Sequence, residues 1–201
     1  MLHTIAKINI IEGYSNKNLT WLSNIILDNY SKLLSNDPTN TRHEDSYCPQ
    51  SLVGDEVIKE MSNFFFENEG LYLEPINYWG HVHERNMSTQ EHCHFGGTPI
   101  PQVSAVLYLS APEGSGEIVF RPKLNSLEPE FGLASFPAKT GTFYMFPSYL
   151  HHYVTRHASD ERRVSFSVNY AIINPNTPQK QIEPVEPPSI VNPGNGRGRF
   201  P

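Results

Sequence analysis

The sequence predicts a mainly β protein with N-terminal helices, a jelly-roll sandwich in which two helices pack on one sheet. Two stretches before residue 70 repeat apolar side chains at the helical period. From Leu71 the chain changes to short runs rich in Val, Tyr, Phe and Ile, separated by Gly, Pro and Ser about every ten residues. The last of these runs alternates polar and apolar residues along its length, as a strand with two different faces does.

The first helix is expected from Ser15, on the spacing Leu19, Leu22, Ile26, Tyr30, Leu33, with Ile25 and Leu34 beside them; Asn36-Asp37-Pro38 ends it. A polar stretch from Pro38 to Pro49 follows. The second helix rests on Leu52, Val53, Val57, Ile58, Met61, Phe64 and Phe65 and stops at Asn68-Glu69-Gly70. Helical support thus covers about 15–67 and a β core about 71–173. Strands are expected near 71–85, 90–95, 103–110, 117–121, 141–146, 152–156 and 163–173. Glu113-Gly114-Ser115-Gly116 and Ala158-Ser159-Asp160-Glu161 are read as hairpin turns. A single domain over 1–173 suits the 201-residue length. The remainder, 174–201, holds seven of the 17 prolines and little that could fill a core, so an extended or disordered tail is expected.

Charge narrows the function. Asp plus Glu number 21 against 15 Lys plus Arg, a net −6, so the basic footprint that binds phosphate backbones or anionic lipid is missing. No run approaches the ~18 apolar residues of a membrane span, and Met1 to Ile11 lacks the pattern of an export signal. The expectation is a cytoplasmic protein with no nucleic-acid or membrane partner. Cys48 and Cys93 cannot build a disulfide framework; Cys93 is read as a small buried filler rather than a nucleophile.

Nine histidines remain to be explained. In Glu91-His92-Cys93-His94, residues i and i+2 of an extended segment share a face, so His92 and His94 can converge on one metal ion. In Leu150-His151-His152-Tyr153 the same alternation lets only one of the two histidines look inward. In the final strand Arg163, Ser165, Ser167 and Asn169 form a polar row, and Val164, Phe166, Val168 and Tyr170 an apolar one. If the apolar row takes the helices, the polar row lines the sandwich interior. An interior guanidinium there requires an anionic partner, and a dianionic ligand would supply it.

The ordered set of H-x-H before Val106-Leu107-Tyr108-Leu109, then Phe146-Pro147-Ser148-Tyr149-Leu150-His151-His152, then Arg163-Val164-Ser165, resembles the iron(II)/2-oxoglutarate dioxygenases. It is similar to the prolyl-hydroxylase-like branch and to short phage and bacterial members. The resemblance spans roughly Trp79 to Tyr170: His152 follows His92 by 60 residues, Arg163 follows His152 by 11, and Tyr108 follows His94 by 14. It implies a double-stranded β-helix. It also implies that His92, His94 and His152 are the catalytic centre's iron ligands, with His151 the rival of His152. Arg163 would clamp the far carboxylate of 2-oxoglutarate, helped by Tyr108 and Ser165. The implied reaction uses O2 and 2-oxoglutarate, with ascorbate as a stimulant, to hydroxylate a C–H bond while 2-oxoglutarate is decarboxylated to succinate. A prolyl or other peptidyl residue is the leading substrate, with a small molecule behind it; for a phage-encoded chain the compartment is the host cytoplasm. His94 departs from the pattern, because the usual two-histidine, one-carboxylate triad places Asp or Glu there.

Two other readings stay open: a cupin-like metalloenzyme without 2-oxoglutarate, for which three histidines are natural, and a non-catalytic jelly-roll binding or virion protein. His43-Glu44-Asp45 is a literal H-x-D in a polar inter-helix loop and is set aside as a chance match. His81, His83 and Glu84 are expected at the mouth of the cavity or on a solvated face. Trp79, Tyr78 and Phe143 are assigned to core packing.

Overall fold

The periodic apolar stretch that begins at Leu19 forms α1 (Thr20–Asn36) in the computed structural model, which describes residues 8–36, 55–96, 99–122 and 133–174. The helix begins five residues after Ser15, where the Asn18 side chain accepts the Thr20 N–H and so caps one of the amides that a helix start leaves free. The second helix, α2 (Asp55–Glu69), has Asp55 and Glu56 in its first turn, where their charge suits the positive helix end. At its other end Gly70 takes φ +70° and returns its N–H to Phe66 O, a left-handed cap that favours glycine. Leu52, Val53, His43-Glu44-Asp45 and the tail from 175 onward lie outside the described residues.

Among the described residues nine strands follow the chain order β1 (Ile11–Tyr14), β2 (Tyr72–His83), β3 (Thr89–His92), β4 (Val103–Ser110), β5 (Glu117–Arg121), β6 (Ala134–Pro137), β7 (Thr142–Pro147), β8 (His151–Val154) and β9 (Arg163–Ile173). They form two antiparallel sheets, a five-stranded one ordered β1-β7-β4-β9-β2 and a four-stranded one ordered β3-β8-β5-β6. The two segments expected to be hairpin turns are corners between sheets. Residues 113–116 carry the chain from β4 in the first sheet to β5 in the second, and residues 158–161 carry it from β8 back to β9. Strands β1 and β6 were not expected. Each has four residues at a sheet edge, and each carries a residue that weakens the strand signal, Gly13 in β1 and Pro137 in β6. Gly13 is required by packing, since a Cβ there would lie 2.2 Å from the Phe143 ring.

Side-chain alternation divides the interior in two. From β4, β7 and β9, Leu107, Phe143, Met145, Phe166, Val168 and Tyr170 face α1 and α2, where Leu22, Ile26, Tyr30, Met61 and Phe65 cover them. Gly80 of β2 lets α1 sit close: a Cβ there would meet Ile26 at 2.6 Å. The opposite faces of β4 and β7 send Val106, Tyr108, Tyr144 and Phe146 toward the second sheet, where they meet Ile118, Phe120 and Leu150. Burial of such side chains is worth roughly 1.5–3 kcal/mol each, so both layers hold the sheets in register around the polar space between them. Among the described residues no helix is long and apolar enough to cross a membrane.

Candidate metal centre and anion pocket

The polar face of β9 lies against β2 on one side and β4 on the other, and the registers set its residues in rows. Asn169 stands beside Asn77 and Ser104, Ser167 beside Trp79 and Val106, Ser165 beside His81 and Tyr108, and Arg163 beside His83. The rows of Ser167, Ser165 and Arg163 line one wall of a cavity of about 380 Å³ between the sheets; β3 and β8 supply the facing histidines.

His92 and His152 are register partners across β3 and β8, and His94 lies just past the end of β3, its N–H held by Ser148 O at 2.8 Å. One ring nitrogen from each of the three can be chosen so that all lie within 4.8 Å of one another. Hydrogen bonding selects which nitrogen. Nδ1 of His92 donates to Gln90 O at 2.8 Å, Nδ1 of His152 to Leu150 O at 3.0 Å, and Nδ1 of His94 to Asn169 Oδ1 at 2.7 Å. Each partner is a carbonyl oxygen that can only accept, so Nδ1 carries the proton and Nε2 keeps its lone pair. Burial holds His94 and His152 neutral, pushing them down to about 4 and about 3. Nε2 of His92 and Nε2 of His94 then face each other at 3.2 Å with two lone pairs and no proton between them. A cation relieves that repulsion, and three imidazoles with an open cavity beside them suit a divalent transition metal.

Further along the cavity Arg163 is 1% exposed. It donates to Ser115 O at 2.6 Å, while its Nε and the buried Tyr108 hydroxyl have no partner. Among the described residues no carboxylate forms an ion pair with Arg163. Burial lowers the Arg163 pKa and raises that of Tyr108 to about 12, so Tyr108 remains a hydrogen-bond donor. A buried cation beside an unused hydroxyl is an anion site in its chemistry. Metal ligands at one end of the space and an anion cradle at the other fit iron(II) with a dicarboxylic keto acid.

Comparison with known proteins agrees with that pairing. Residues 77–169 match the family model described as putative 2OG-Fe(II) oxygenase. Over those residues the β core is similar to the 2OG-Fe(II) oxygenases. An oxidoreductase of that family from Burkholderia pseudomallei shares its fold at a TM-score of 0.51 and 15% identity; the match covers 64% of this chain and 63% of that one, so this chain spans less than two thirds of its length. A Pseudomonas putida prolyl-4-hydroxylase gives 0.54 and 15% over 82% and 93% of the two chains. The non-heme alpha-ketoglutarate-dependent carbocyclase SnoK from nogalamycin biosynthesis gives 0.58 and 15% over 80% and 78%. A search of curated proteins finds no match. The matched family model and these structures are those of 2-oxoglutarate/Fe(II)-dependent oxygenases.

The β core brings His92, His94, His152, Arg163, Tyr108 and Ser165 to one cavity. His151 turns away from it, with Nδ1 3.4 Å from Glu91 Oε1. His81 and His83 stand deep beside Arg163, whose charge adds to burial in lowering them to about 4 and about 2. Glu84 points elsewhere and pairs with Arg162 at 2.8 Å. Trp79 is a wall residue, its ring centroid 5.4 Å from that of His94, and is not a packing residue of the apolar core. Phe143 and Tyr78 do belong to that core. Cys93 is partly exposed. Sequence reasoning gave no role at the site to Asn169, Ser104 or Ser148. The signal available was the polar row of β9 and Ser104 standing inside the otherwise apolar run Val103–Leu109 of β4.

Proposed function

We propose that this protein is an iron(II)- and 2-oxoglutarate-dependent dioxygenase that hydroxylates a C–H bond, built on a double-stranded β-helix. The observation that carries the reading is the convergence of three unprotonated Nε2 atoms in the same cavity as a buried Arg163 whose Nε has no partner and a buried, unbonded Tyr108 hydroxyl.

His92, His94 and His152 would hold the iron, and Arg163 the far carboxylate of 2-oxoglutarate. Bound together, these groups supply the oxygen activation that couples decarboxylation of the keto acid to oxidation of a substrate C–H bond. The chain's own residues bind, orient and exclude water. The planar guanidinium offers a fork of donors matched to a carboxylate, and Tyr108 can donate a further hydrogen bond to it. Ser165, opposite Tyr108 in the register, adds a third donor. Little water surrounds these groups, so the attraction between Arg163 and the carboxylate is stronger than at a surface. Three neutral imidazoles leave the metal with one more positive charge than the usual triad does, which favours an anionic cosubstrate.

The branch resembled makes a prolyl or other peptidyl residue the substrate, and the likeness to a prolyl-4-hydroxylase supports this. The test is incubation with Fe(II), 2-oxoglutarate and O2, alone and with proline-containing peptides. Succinate formation with gain of one oxygen atom by the peptide is expected. Succinate without peptide oxidation would leave the oxygenase reading and turn the substrate toward small molecules. No succinate from the iron-loaded protein under any condition would overturn the reading.

A further inference from the structure

We infer that Asn169 is a positioning residue for the metal centre: its carboxamide fixes the tautomer and direction of His94, the ligand that stands where a carboxylate is usual. This rests on the reading of His92, His94 and His152 as metal ligands.

Asn169 Oδ1 lies 2.7 Å from both His94 Nδ1 and Ser104 Oγ, and Asn169 Nδ2 donates to Asn77 Oδ1 at 2.9 Å. Ser104 is fully buried and spends its only hydroxyl proton on Asn169, so Ser148 Oγ, 2.8 Å away, donates to Ser104. Rotating the carboxamide by half a turn would bring an NH2 against His94 Nδ1 and put an oxygen against Asn77 Oδ1, losing its two acceptances and its donation. With Asn77 in its observed orientation, accepting from Nδ2, the network admits one orientation of Asn169. In it His94 Nδ1 faces an acceptor at 2.7 Å and must carry the proton. Ser104 Oγ at 3.0 Å from Nδ1 completes the cradle.

His92 and His152 have their tautomers set by backbone carbonyls two residues upstream, that of Gln90 within β3 and that of Leu150 just before β8. His94 has left the strand, and its ring is held by a side chain 75 positions further along the chain. A histidine at this position needs such a support. An aspartate ligand offers an oxygen lone pair however it rotates, whereas an imidazole with its proton on Nε2 offers nothing. Partners of this kind around a metal ligand are worth 10–100-fold in metal affinity.

The test combines 15N NMR of the histidine rings in the metal-free protein with Co(II) and Fe(II) titrations of wild type, Asn169→Ala and Asn169→Asp. In wild type His94 is expected as the Nδ1–H form. Asn169→Ala should populate the Nε2–H form and weaken metal binding 10–100-fold. Asn169→Asp keeps the acceptor, and Asn77 can turn its amide to donate, so the Nδ1–H form and metal affinity at or above wild type are expected. A merely structural role would not be rescued by Asp alone with these readouts. An Nε2–H His94 in wild type, or Asn169→Ala binding metal like wild type, would overturn the inference. Should Asn169→Ala not fold, the wild-type tautomer and the Asp variant still decide it. Wild type that binds neither metal would instead remove the metal reading itself.

Discussion

His92 and His152 sit directly opposite each other across β3 and β8, their ring centroids 4.3 Å apart. Cross-strand pairing thus brings together two residues 60 positions apart in the chain, and the neighbouring His151, one residue earlier, turns instead to Glu91. A one-residue step along a strand reverses the side chain. His152→Ala and His92→Ala are therefore expected to lose more than 100-fold in Fe(II) affinity, beyond the effect of a disturbed ligand partner. His151→Ala should bind Fe(II) as wild type does. Calorimetric or spectroscopic metal titration separates the two histidines.

Arg163 gives two linked expectations. Arg163→Lys keeps the charge and loses the fork, so 2-oxoglutarate should bind the Fe(II) protein weaker by about 1–3 kcal/mol, the range for hydrogen bonds to a charged group. Arg163→Met removes a buried cation that no carboxylate neutralises among the described residues, so the stability of the ligand-free protein should be unchanged or raised by ~1–4 kcal/mol in urea denaturation. The same variant should no longer gain stability from added 2-oxoglutarate. A large loss of stability in Arg163→Met would mean that the guanidinium is held in place for the fold and not for an anion.

Much of this arrangement is readable from the chain. The alternation Arg163, Ser165, Ser167, Asn169 against Val164, Phe166, Val168, Tyr170 needs only the period of a strand, and the burial of the second set under α1 and α2 follows it. What the sequence conceals is which corner joins which sheet. Residues 113–116 and 158–161 have the composition of hairpin turns, yet each joins strands of different sheets, because pairing is decided by contacts distant in sequence. The short edge strands β1 and β6 carry too few residues to register as a pattern. Trp79 and Asn169 were hidden for a different reason. An aromatic residue and an amide are both ordinary in a strand, and only the register places one beside His94 and the other against its ring.

Acid should destabilise the metal-free protein. His83 is buried and its folded-state pKa lies far below the unfolded value near 6.5. The unfolded chain therefore binds a proton that the native state refuses, and stability is lost as pH falls below about 6.5. At pH 5.5 this is roughly 1.4 kcal/mol for His83 alone, and His81 acts in the same direction. Urea midpoints at pH 7.5 and 5.5 check it, and His83→Gln should reduce the difference. An unchanged difference in that variant would show that other groups govern the acid response.

Gly80 marks the seat of α1 on β2. Gly80→Ala forces its Cβ into Ile26, and overpacking of this kind costs about 1–3 kcal/mol. Because that face of β2 is turned away from the cavity, 2-oxoglutarate affinity at a temperature where the variant is folded should stay at the wild-type value.

The central claim is that one cavity holds iron and 2-oxoglutarate together, joined at the metal. Anaerobic addition of 2-oxoglutarate to the Fe(II) protein, followed in the visible spectrum, tests this most directly. A weak charge-transfer band that saturates at one 2-oxoglutarate per iron is expected in wild type and absent in His152→Ala. Tight binding of both Fe(II) and 2-oxoglutarate with no such band would contradict the account, since the two would then occupy separate sites.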